Sequence, residues 1–360
     1  MERAVLVTIE FDRRDNRSWP LADETKELEE LVRSAGGTVA SSLEVRRHDP
    51  VPATLIGSGK LEEIHHQAHG TKAQVVVFNE ELSPAQQRNV EEIVGIKTID
   101  RTQLILDIFA QRAKSQEGKV QVELAQLRYL MPRLIGKGVL LSRLGGGIGT
   151  RGPGEQKLEV DRRRIRQRIG RLNGELARLA RRREATRQQR REARVPVVAL
   201  VGYTNAGKTT LLNRLTGAES RAEQRMFTTL DPLARRLRLP SGRTVVLTDT
   251  VGFLHRLPHH LIEAFKATLE ETQDADLILH VLDASHPQAM EQAEAVHDVL
   301  KDLEVDAKPL ITVLNKCDRT DETRGPHTLE RHLPVPVAIS ALRGDGLESL
   351  LSAIESQLQA

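Results

Sequence analysis

The stretch VVALVGYTNAGKTTLLNRL, residues 197–215, contains the pattern G-x-x-x-x-G-K-[ST] from Gly202 to Thr209. The apolar run before the pattern predicts a strand, and the residues after it predict a helix. Glycines let backbone N–H groups wrap phosphate groups at the helix N-terminus, where the helix dipole favours negative charge. The stretch therefore predicts a P-loop α/β domain, with Lys208 reaching the β- and γ-phosphates as a catalytic residue and Thr209 as a ligand to Mg2+.

Two further segments complete the predicted phosphate site. DTVG at 249–252 follows an apolar strand, so Asp249 can hold Mg2+ through water and the amide of Gly252, the second predicted catalytic residue, can meet the γ-phosphate. FTTLD at 227–231 predicts a switch segment that supplies a hydroxyl to Mg2+. Phe253 stands where many GTP-hydrolysing P-loop enzymes carry the glutamine that orients the attacking water, so we expect slow intrinsic hydrolysis that awaits a group from a partner or a rearranged switch. The alternative, that Phe253 only packs in the switch while another residue of the chain orients the water, is open on these residues.

The predicted base site lies in the last third of the chain, in NKCD at 315–318 and AISAL at 338–342. The carboxylate of Asp318 can accept hydrogen bonds from the ring N–H and the exocyclic amine of guanine, a donor pair that adenine lacks. The ordered motifs together predict a GTPase that binds GTP, GDP and Mg2+. The predicted nucleotide-binding residues are Gly202, Tyr203, Thr204, Asn205, Ala206, Gly207, Lys208, Thr209, Phe227, Thr228, Thr229, Leu230, Asp231, Asp249, Thr250, Val251, Gly252, Asn315, Lys316, Cys317, Asp318, Ser340, Ala341 and Leu342.

The first part of the chain, residues 1–114, alternates strand and helix patterns and predicts a small α/β domain. Strands are expected at 4–9, 38–45 and 74–78, and helices at 24–34, 61–68 and 84–94, the last capped by Ser83 and opened by Pro84. The string GSGK at 57–60 lacks the first glycine of a P-loop, and we interpret it as a turn into a helix.

Residues 115–194 predict an antiparallel helical hairpin that projects from the rest of the chain. Apolar residues follow the 4, 3, 4, 3 spacing of a coiled-coil seam twice, and two narrow seams bury each other most simply as a hairpin. Pro132 is expected to kink or end the first helix. The two series are Val120, Leu124, Leu127, Met131 and Leu134, and then Ile165, Ile169, Leu172, Leu176 and Leu179. The GTPase domain fills the remaining residues, 195–360.

A glycine-rich loop joins the two predicted helices, with six glycines between residues 145 and 154. It contains G-x-G-x-x-G at 147–152, which marks a dinucleotide site only after a strand, and here a helix precedes it. A flexible linker and a loop that touches RNA phosphate are both open on these residues. Arg143 and Arg151 add cations that suit the second interpretation.

The second helix is strongly basic. Residues 161–194 hold 14 arginines against 4 acidic residues, a net charge of +10, so the rest of the chain carries −7 of the total of +3. Such a block is either a solvated helix face or a contact surface for an acidic partner. Because the signs scarcely mix, we favour contact with RNA or DNA.

Composition limits the class of protein. Aromatic residues make up only 2%, which argues against single-stranded nucleic acid binding by rows of stacked rings. Cys317 is the single cysteine, so no intrachain disulfide can form. The N-terminus lacks a signal-peptide pattern, and no run of residues suits a transmembrane helix. We expect a cytoplasmic monomer and leave a peripheral association with membranes open.

The chain resembles the HflX family of ribosome-associated GTPases, in the translation-factor-like class of P-loop proteins, over nearly its whole length. The most specific stretches are DRTQLILDIFAQRA at 100–113, VELAQL at 122–127 and LSRLGGGIGTRGPGE at 141–155. The guanine-nucleotide motifs match the family in turn. Phe253 matches the hydrophobic residue that replaces the usual glutamine in this family.

The resemblance implies binding to the large ribosomal subunit and its RNA, GTP hydrolysis stimulated by the ribosome, and splitting or rescue of stalled ribosomes, particularly under heat stress. It implies that the N-terminal domain and hairpin reach the peptidyl-transferase region, where the glycine-rich loop touches ribosomal RNA. Thr229 corresponds to the switch threonine that ligates Mg2+ when GTP is bound. Two features depart from the family: Gln156 stands where threonine is expected, and the chain ends soon after the predicted helix at 347–358, whereas some relatives carry a further domain.

Two other functions fit the same features. The protein could be a GTPase of large-subunit assembly that uses its hairpin on immature particles, or a nucleotide-gated RNA-binding protein for which hydrolysis is incidental. A fourth hypothesis, ATP-dependent RNA remodelling by the N-terminal domain, has little support because that domain lacks the P-loop that would bind ATP.

Overall fold

The computed structural model describes residues 1–12, 19–134, 153–218, 226–227, 229–231, 233–256, 261, 266–319 and 333–359, without the side chains of 153–158 and 266–268. The described residues form two compact units, one of residues 1–111 and 119–177 and the other of 112–118 and 178–360. Thr228, Arg143, Arg151, the pattern at 147–152 and the side chain of Gln156 lie outside the description. Within the described ranges, each helix is too short or too polar to cross a membrane.

The N-terminal residues form a four-stranded parallel sheet in the order β2-β1-β3-β4, which confirms the predicted α/β fold. The sequence prediction omitted β4 and α4 and was a few residues short at several ends. The strands are β1 (Arg3–Phe11), β2 (Thr38–Arg47), β3 (Val75–Phe78) and β4 (Lys97–Asp100), and the helices are α1 (Leu21–Ser34), α2 (Ser58–Gly70), α3 (Pro84–Val94) and α4 (Arg101–Arg112).

Local chemistry explains how two of these helices begin. Ser83 Oγ accepts a hydrogen bond from the amide of Gln86 at 3.2 Å, and Gln86 Oε1 accepts one from the amide of Ser83 at 2.9 Å. This capping box satisfies two amides that a helix start leaves without acceptors, and it confirms the predicted start of α3. Gly57 directly precedes α2, so the interpretation of residues 57–60 as a turn into a helix is also confirmed.

The predicted hairpin helices are α5 (Gln116–Arg133) and α6 (Pro153–Glu192). A guanidinium–carboxylate fork joins them, in which Arg168 donates to Glu123 at 2.6 and 2.7 Å. Pro132 lies within the last turn of α5, one residue before its end, where it cannot donate a helical hydrogen bond. The apolar seam packs as one cluster through six of the ten predicted residues, namely Val120, Leu124, Leu127, Ile169, Leu172 and Leu176.

The C-terminal residues form a six-stranded sheet in the order β10-β9-β8-β5-β7-β6, parallel except for β6. The carboxyl ends of β5, β7 and β9 therefore lie at one edge of the sheet, where α/β folds place their ligands. The strands are β5 (Val197–Val201), β6 (Leu233–Arg238), β7 (Thr244–Asp249), β8 (Leu277–Asp283), β9 (Leu310–Asn315) and β10 (Pro336–Ala338), and the helices are α7 (Lys208–Thr216), α8 (Lys266–Gln273), α9 (Ala289–Asp302) and α10 (Leu347–Gln357).

The hairpin seam generates a first prediction. Leu172 is fully buried in the seam, whereas Val160 on the same helix is 42% exposed. We expect Leu172→Ala to lower the free energy of unfolding by about 2–5 kcal/mol, because the truncation removes buried methyl groups and leaves a cavity. The control Val160→Ala should cost less than about 0.5 kcal/mol. Urea unfolding followed by circular dichroism measures both, and equal losses would contradict the packing of the seam.

Candidate functional site

The loop between β5 and α7 has the tight backbone that phosphate binding needs. Gly207 has a φ of +98°, and a Cβ at this position would overlap the side-chain nitrogen of Asn315. Only glycine fits this site, since it tolerates both the left-handed conformation and the close approach. Asn205 also takes a positive φ, of 62°. The predicted phosphate loop therefore ends against the base-recognition motif.

Lys208 is buried at the start of α7. Its ammonium donates hydrogen bonds to the carbonyl oxygens of Gly202 and Tyr203, each at 2.9 Å. Burial lowers the pKa of Lys208 to about 8, and the nearby carboxylate of Asp249 acts in the opposite direction. The loop thus holds a cation that is only partly compensated by neighbouring charge.

Three oxygen atoms from separate segments converge beside this lysine. Thr209 Oγ1 and Thr229 Oγ1 lie 2.8 Å apart, and Asp249 Oδ2 lies 2.7 Å from the first and 2.8 Å from the second. Asp249 is fully buried, and its Oδ1 has no hydrogen-bond partner among the described residues. Burial raises the pKa of this carboxyl group, while Lys208 opposes the shift.

This donor set fits a hard divalent cation. Mg2+ prefers oxygen ligands at 2.0–2.1 Å in an octahedron, in which neighbouring ligands lie about 2.9 Å apart. The 2.8 Å between Thr209 Oγ1 and Thr229 Oγ1 matches that spacing. The oxygen of Asp249 that lacks a partner can accept a hydrogen bond from water on the ion. The residues present therefore fit the predicted magnesium site.

The segment after β7 is tied to the phosphate loop through its backbone. The amide of Phe253 donates to the carbonyl oxygen of Gly202 at 3.1 Å, and its carbonyl oxygen accepts from the amide of Thr204 at 2.8 Å. The Phe253 side chain is fully buried. The neighbouring Thr250 hydroxyl donates to the carbonyl oxygen of Leu200 at 2.7 Å, so its side chain serves the fold. Phe253 therefore packs in the interior and presents no polar group to a substrate.

Asn315 connects the base site to the phosphate loop. Its side chain donates to the carbonyl oxygen of Ala206 at 2.8 Å and accepts from the amide of Ala341 at 3.0 Å. The Ser340 hydroxyl donates to Asp318 Oδ1 at 2.6 Å, which fixes the orientation of that carboxylate. Hydrogen bonds therefore join the two predicted base motifs.

One ion pair of this site was not predicted. Asp283, the last residue of β8, accepts from the ammonium of Lys316 at 2.6 Å. Lys316 takes a positive φ of 65°, so the pair holds the side chain of a strained residue in the NKCD motif. An aspartate at the end of an apolar strand, as in LHVLD at 279–283, is the signal that could have identified it.

The other predicted residues differ in their placement. Phe227 and Gly252 line the same cavity as the phosphate loop, whereas Leu230 and Val251 are buried in the interior. Leu342 is 74% exposed. The carboxylate of Asp231 accepts hydrogen bonds from backbone amides before α5, and its predicted contact with the nucleotide stays a prediction. Thr228 lies outside the described residues.

Part of the basic block has an acidic partner within the chain itself. At the end of α6, Arg187 contacts Asp274 at 2.6 Å and Arg191 contacts the same carboxylate at 2.9 Å. Arg183 lies 3.1 Å from both Glu117 and Glu270. These arginines pair with Glu270 of α8 and with Asp274 directly after it. The RNA contact predicted for residues 161–194 stays a prediction.

Three families match consecutive parts of the chain. The family described as GTP-binding GTPase N-terminal matches residues 22–110, and the one described as GTP-binding GTPase Middle Region matches residues 112–190. The family described as 50S ribosome-binding GTPase matches residues 197–316, which hold most of the site above.

Curated relatives and solved structures match nearly the whole chain. A GTPase HflX of Caldanaerobacter subterraneus subsp. tengcongensis is 51% identical over 358 residues, covering 99% of this chain and 81% of the relative. A GTPase HflX of Escherichia coli (strain K12) is 46% identical, covering 99% and 83%. A GTP-binding protein of Sulfolobus solfataricus in complex with GDP is 25% identical with a TM-score of 0.51, covering 99% of this chain and 98% of that one.

The buried lysine generates a second prediction. Bound phosphate stabilises the charged form of Lys208 and raises its pKa above about 8, so GDP binding takes up a proton once the pH exceeds that value. The affinity should fall by up to ~10-fold between pH 8 and pH 9. Calorimetry at pH 8.5 in two buffers of different ionisation enthalpy measures the proton uptake. The control Lys26→Ala, at a side chain that is 74% exposed, should keep the profile; net proton release would contradict the assignment.

Proposed function

The chain belongs to the HflX family of GTPases, and we propose that it is a Mg2+-dependent enzyme that binds the large ribosomal subunit and splits or rescues stalled ribosomes. Its hydrolysis of GTP follows from this membership and from its GTPase domain. The match of residues 197–316 to a family described as 50S ribosome-binding supports the ribosomal partner. The convergence of Thr209, Thr229 and Asp249 supports the dependence on Mg2+ and carries the proposal that the switch segment senses the nucleotide.

The side chains of the site divide the work on the phosphates. Lys208 supplies a buried positive charge to the β- and γ-phosphates, and the Gly252 amide faces the γ-phosphate. When bound, Mg2+ neutralises charge that develops on the phosphate oxygens. Thr209 and Thr229 would hold the ion directly, and Asp249 would hold it through water. Guanine is selected by Asp318, whose orientation the Ser340 hydroxyl maintains.

The attacking water must be oriented by a hydrogen-bonding group, and the side chain of Phe253 cannot provide one. The ring is fully buried and its backbone is bonded to the phosphate loop, so no small rotation brings a polar group to the water. We therefore propose that hydrolysis is slow in the free protein and is stimulated by the ribosome.

Exposed cations on α6 support contact with ribosomal RNA. Arg163, Arg164, Arg166 and Arg171 are exposed along the hairpin part of the helix, and RNA phosphate binds such charges with a strong dependence on salt. The glycine-rich loop that joins α5 to α6, with Arg143 and Arg151, extends this proposal on sequence alone.

The position of Phe253 generates a third prediction. We expect single-turnover hydrolysis in the free protein to stay at or below about 0.01 s⁻¹, and to rise by at least ~100-fold with ribosomes. Phe253→Gln should not raise the free rate, because the side chain at this position faces the interior, and it should lower the melting temperature. Phe78→Gln, at a fully buried aromatic residue of the N-terminal sheet, is a matched control for lost packing and should lower the melting temperature and leave the free rate unchanged. A free rate increased tenfold by Phe253→Gln would show that residue 253 reaches the water.

Sedimentation tests the proposed function and gives a fourth prediction. Intact ribosomes incubated with the protein and GTP, or a non-hydrolysable analogue, should separate into subunits on a sucrose gradient, with the protein on the large one. The double variant Arg143→Ala, Arg151→Ala should weaken this binding at least ~10-fold and leave GDP affinity within about twofold. The control pair Arg236→Ala, Arg238→Ala, on β6, should bind as the wild type does.

Other outcomes of the same experiment point to other functions. Binding restricted to precursor particles would replace ribosome splitting with large-subunit assembly. GTP-dependent binding to RNA with no separation of subunits would favour a nucleotide-gated RNA-binding protein. Equal losses of ribosome binding and GDP affinity in the double variant of Arg143 and Arg151 would contradict the proposed contact of the loop with ribosomal RNA.

A further inference from the structure

The segment that begins the first hairpin helix lies in the same compact unit as the nucleotide site, because residues 112–118 cluster with residues 178–360. Ser115 directly precedes α5 and accepts a hydrogen bond from the amide of Gly118 at 2.9 Å, as the N-cap residue of a helix does. The amides of Lys114 and Ser115 precede the helix and have no acceptor within it. Their acceptor comes from a distant part of the sequence.

That acceptor is the carboxylate of Asp231. Its Oδ2 accepts hydrogen bonds from the amides of Lys114 and Ser115, each at 2.8 Å, and its Oδ1 accepts one from the Ser115 hydroxyl. A Cβ at Gly118 would overlap Asp231 Oδ1, so only glycine leaves room for the carboxylate. One charged group therefore binds two free amides and the capping side chain, and the first turn of α5 is shaped to receive it.

Asp231 lies two residues after Thr229, so the switch segment has two anchored points. Thr229 contacts Thr209 and Asp249 at the metal site. Two residues of extended chain span only about 7 Å, which leaves little slack between these anchors. A movement of Thr229 away from the metal site must therefore be absorbed by the bonds of Asp231.

The second hairpin helix is anchored nearby. Glu117, in the first turn of α5, contacts Arg183 of α6 at 3.1 Å, and Arg183 also contacts Glu270 of α8 at 3.1 Å. Helix α8 follows the segment that starts with the DTVG motif. Arg183 of α6 therefore joins the start of α5 to α8. The start of α5 also contacts the FTTLD segment through Asp231, and α8 follows the DTVG segment in the sequence.

We propose that Asp231 is a positioning residue that couples the nucleotide state to the hairpin by capping α5. While Thr229 is held at the metal site, Asp231 binds the amides before α5 and orders the first turn. When hydrolysis and phosphate release free Thr229, the carboxylate leaves, and the start of the first hairpin helix loses its acceptor. This inference rests on the proposed function only in that Thr229 responds to the γ-phosphate.

Hydrogen exchange of the full-length protein tests the coupling without ribosomes. The readout is the exchange rate of the backbone amides in a peptide covering residues 112–124, with Mg2+ and either GDP or a non-hydrolysable GTP analogue. We expect at least tenfold slower exchange at Lys114, Ser115 and Gly118 with the analogue. The start of α10, where Gly346 provides no side-chain cap, should exchange equally in both states.

Three variants make the test specific. Asp231→Ala should remove the difference between the two nucleotides, so that both states exchange at the rate of the GDP state. Ser115→Ala keeps the hydrogen bonds from the amides of Lys114 and Ser115 to Asp231 and loses the one from the amide of Gly118 to the Ser115 hydroxyl. The difference in exchange between the two nucleotide states should therefore remain at residue 115 and disappear at Gly118. Asp306→Ala, at an exposed aspartate of the same unit, should behave as the wild type does.

The outcomes separate this inference from the proposed function. Equal exchange at residues 114–118 in the two states of the wild type, or an undiminished difference in Asp231→Ala, would overturn the coupling. If Asp231→Ala does not fold, the split response of Ser115→Ala decides the question, since a merely structural cap loses protection equally in both states. Failure to split ribosomes would leave the exchange result unaffected.

Discussion

A buried carboxylate whose negative charge is only partly offset by nearby positive charge constrains the rest of the GTPase domain. Asp249 is completely removed from solvent, one of its oxygens has no hydrogen-bond partner among the described residues, and burial raises the pKa of the group. A lone carboxylate in such a place is costly, and positive charge offsets the cost. Lys208 supplies part of it, and a divalent cation on Thr209 and Thr229 would supply the rest. Thr229 contacts this group through hydrogen bonds to Thr209 and Asp249, so a bound cation would help to hold the predicted switch segment.

The same principle explains how a helix with so many arginines can belong to a folded protein. Towards its end, α6 places Arg183 against Glu117 of α5 and Arg187 against Asp274, the residue after α8. Such partly buried pairs gain more than exposed ones. Further towards the hairpin seam, Arg168 pairs with Glu123 of α5, and Arg163, Arg166 and Arg171 are exposed. One basic stretch of sequence thus makes contacts within the chain at several arginines, and the proposed contact with RNA concerns the exposed ones.

The sequence predicts functional motifs of adjacent residues well, and it predicts contacts between residues that are distant in the sequence poorly. The phosphate loop and the base motifs were found because each packs its chemical groups into a few adjacent residues. The bond of Asn315 to Ala206, the pair of Asp283 with Lys316, and the capping of Ser115 by Asp231 join residues 109, 33 and 116 positions apart. No local pattern indicates the first and the third of these contacts, and for the second the aspartate at the end of a strand indicates Asp283 but not its partner Lys316. Strand β4 was missed because α4 follows it without a turn residue, and β6 because LARRLR carries its charges on an edge strand.

The buried ring of Phe253 and the capping of α5 by Asp231 together bear on when GTP hydrolysis releases the hairpin. A site that orders its own water hydrolyses GTP at a rate fixed by the free protein, and the switch would then release whether or not a partner is bound. Here the residue after DTVG is committed to the interior by packing and by two backbone hydrogen bonds. If, as we propose, a bound partner supplies the group that completes the site, the lifetime of the capped hairpin would be set by the partner to which the hairpin binds.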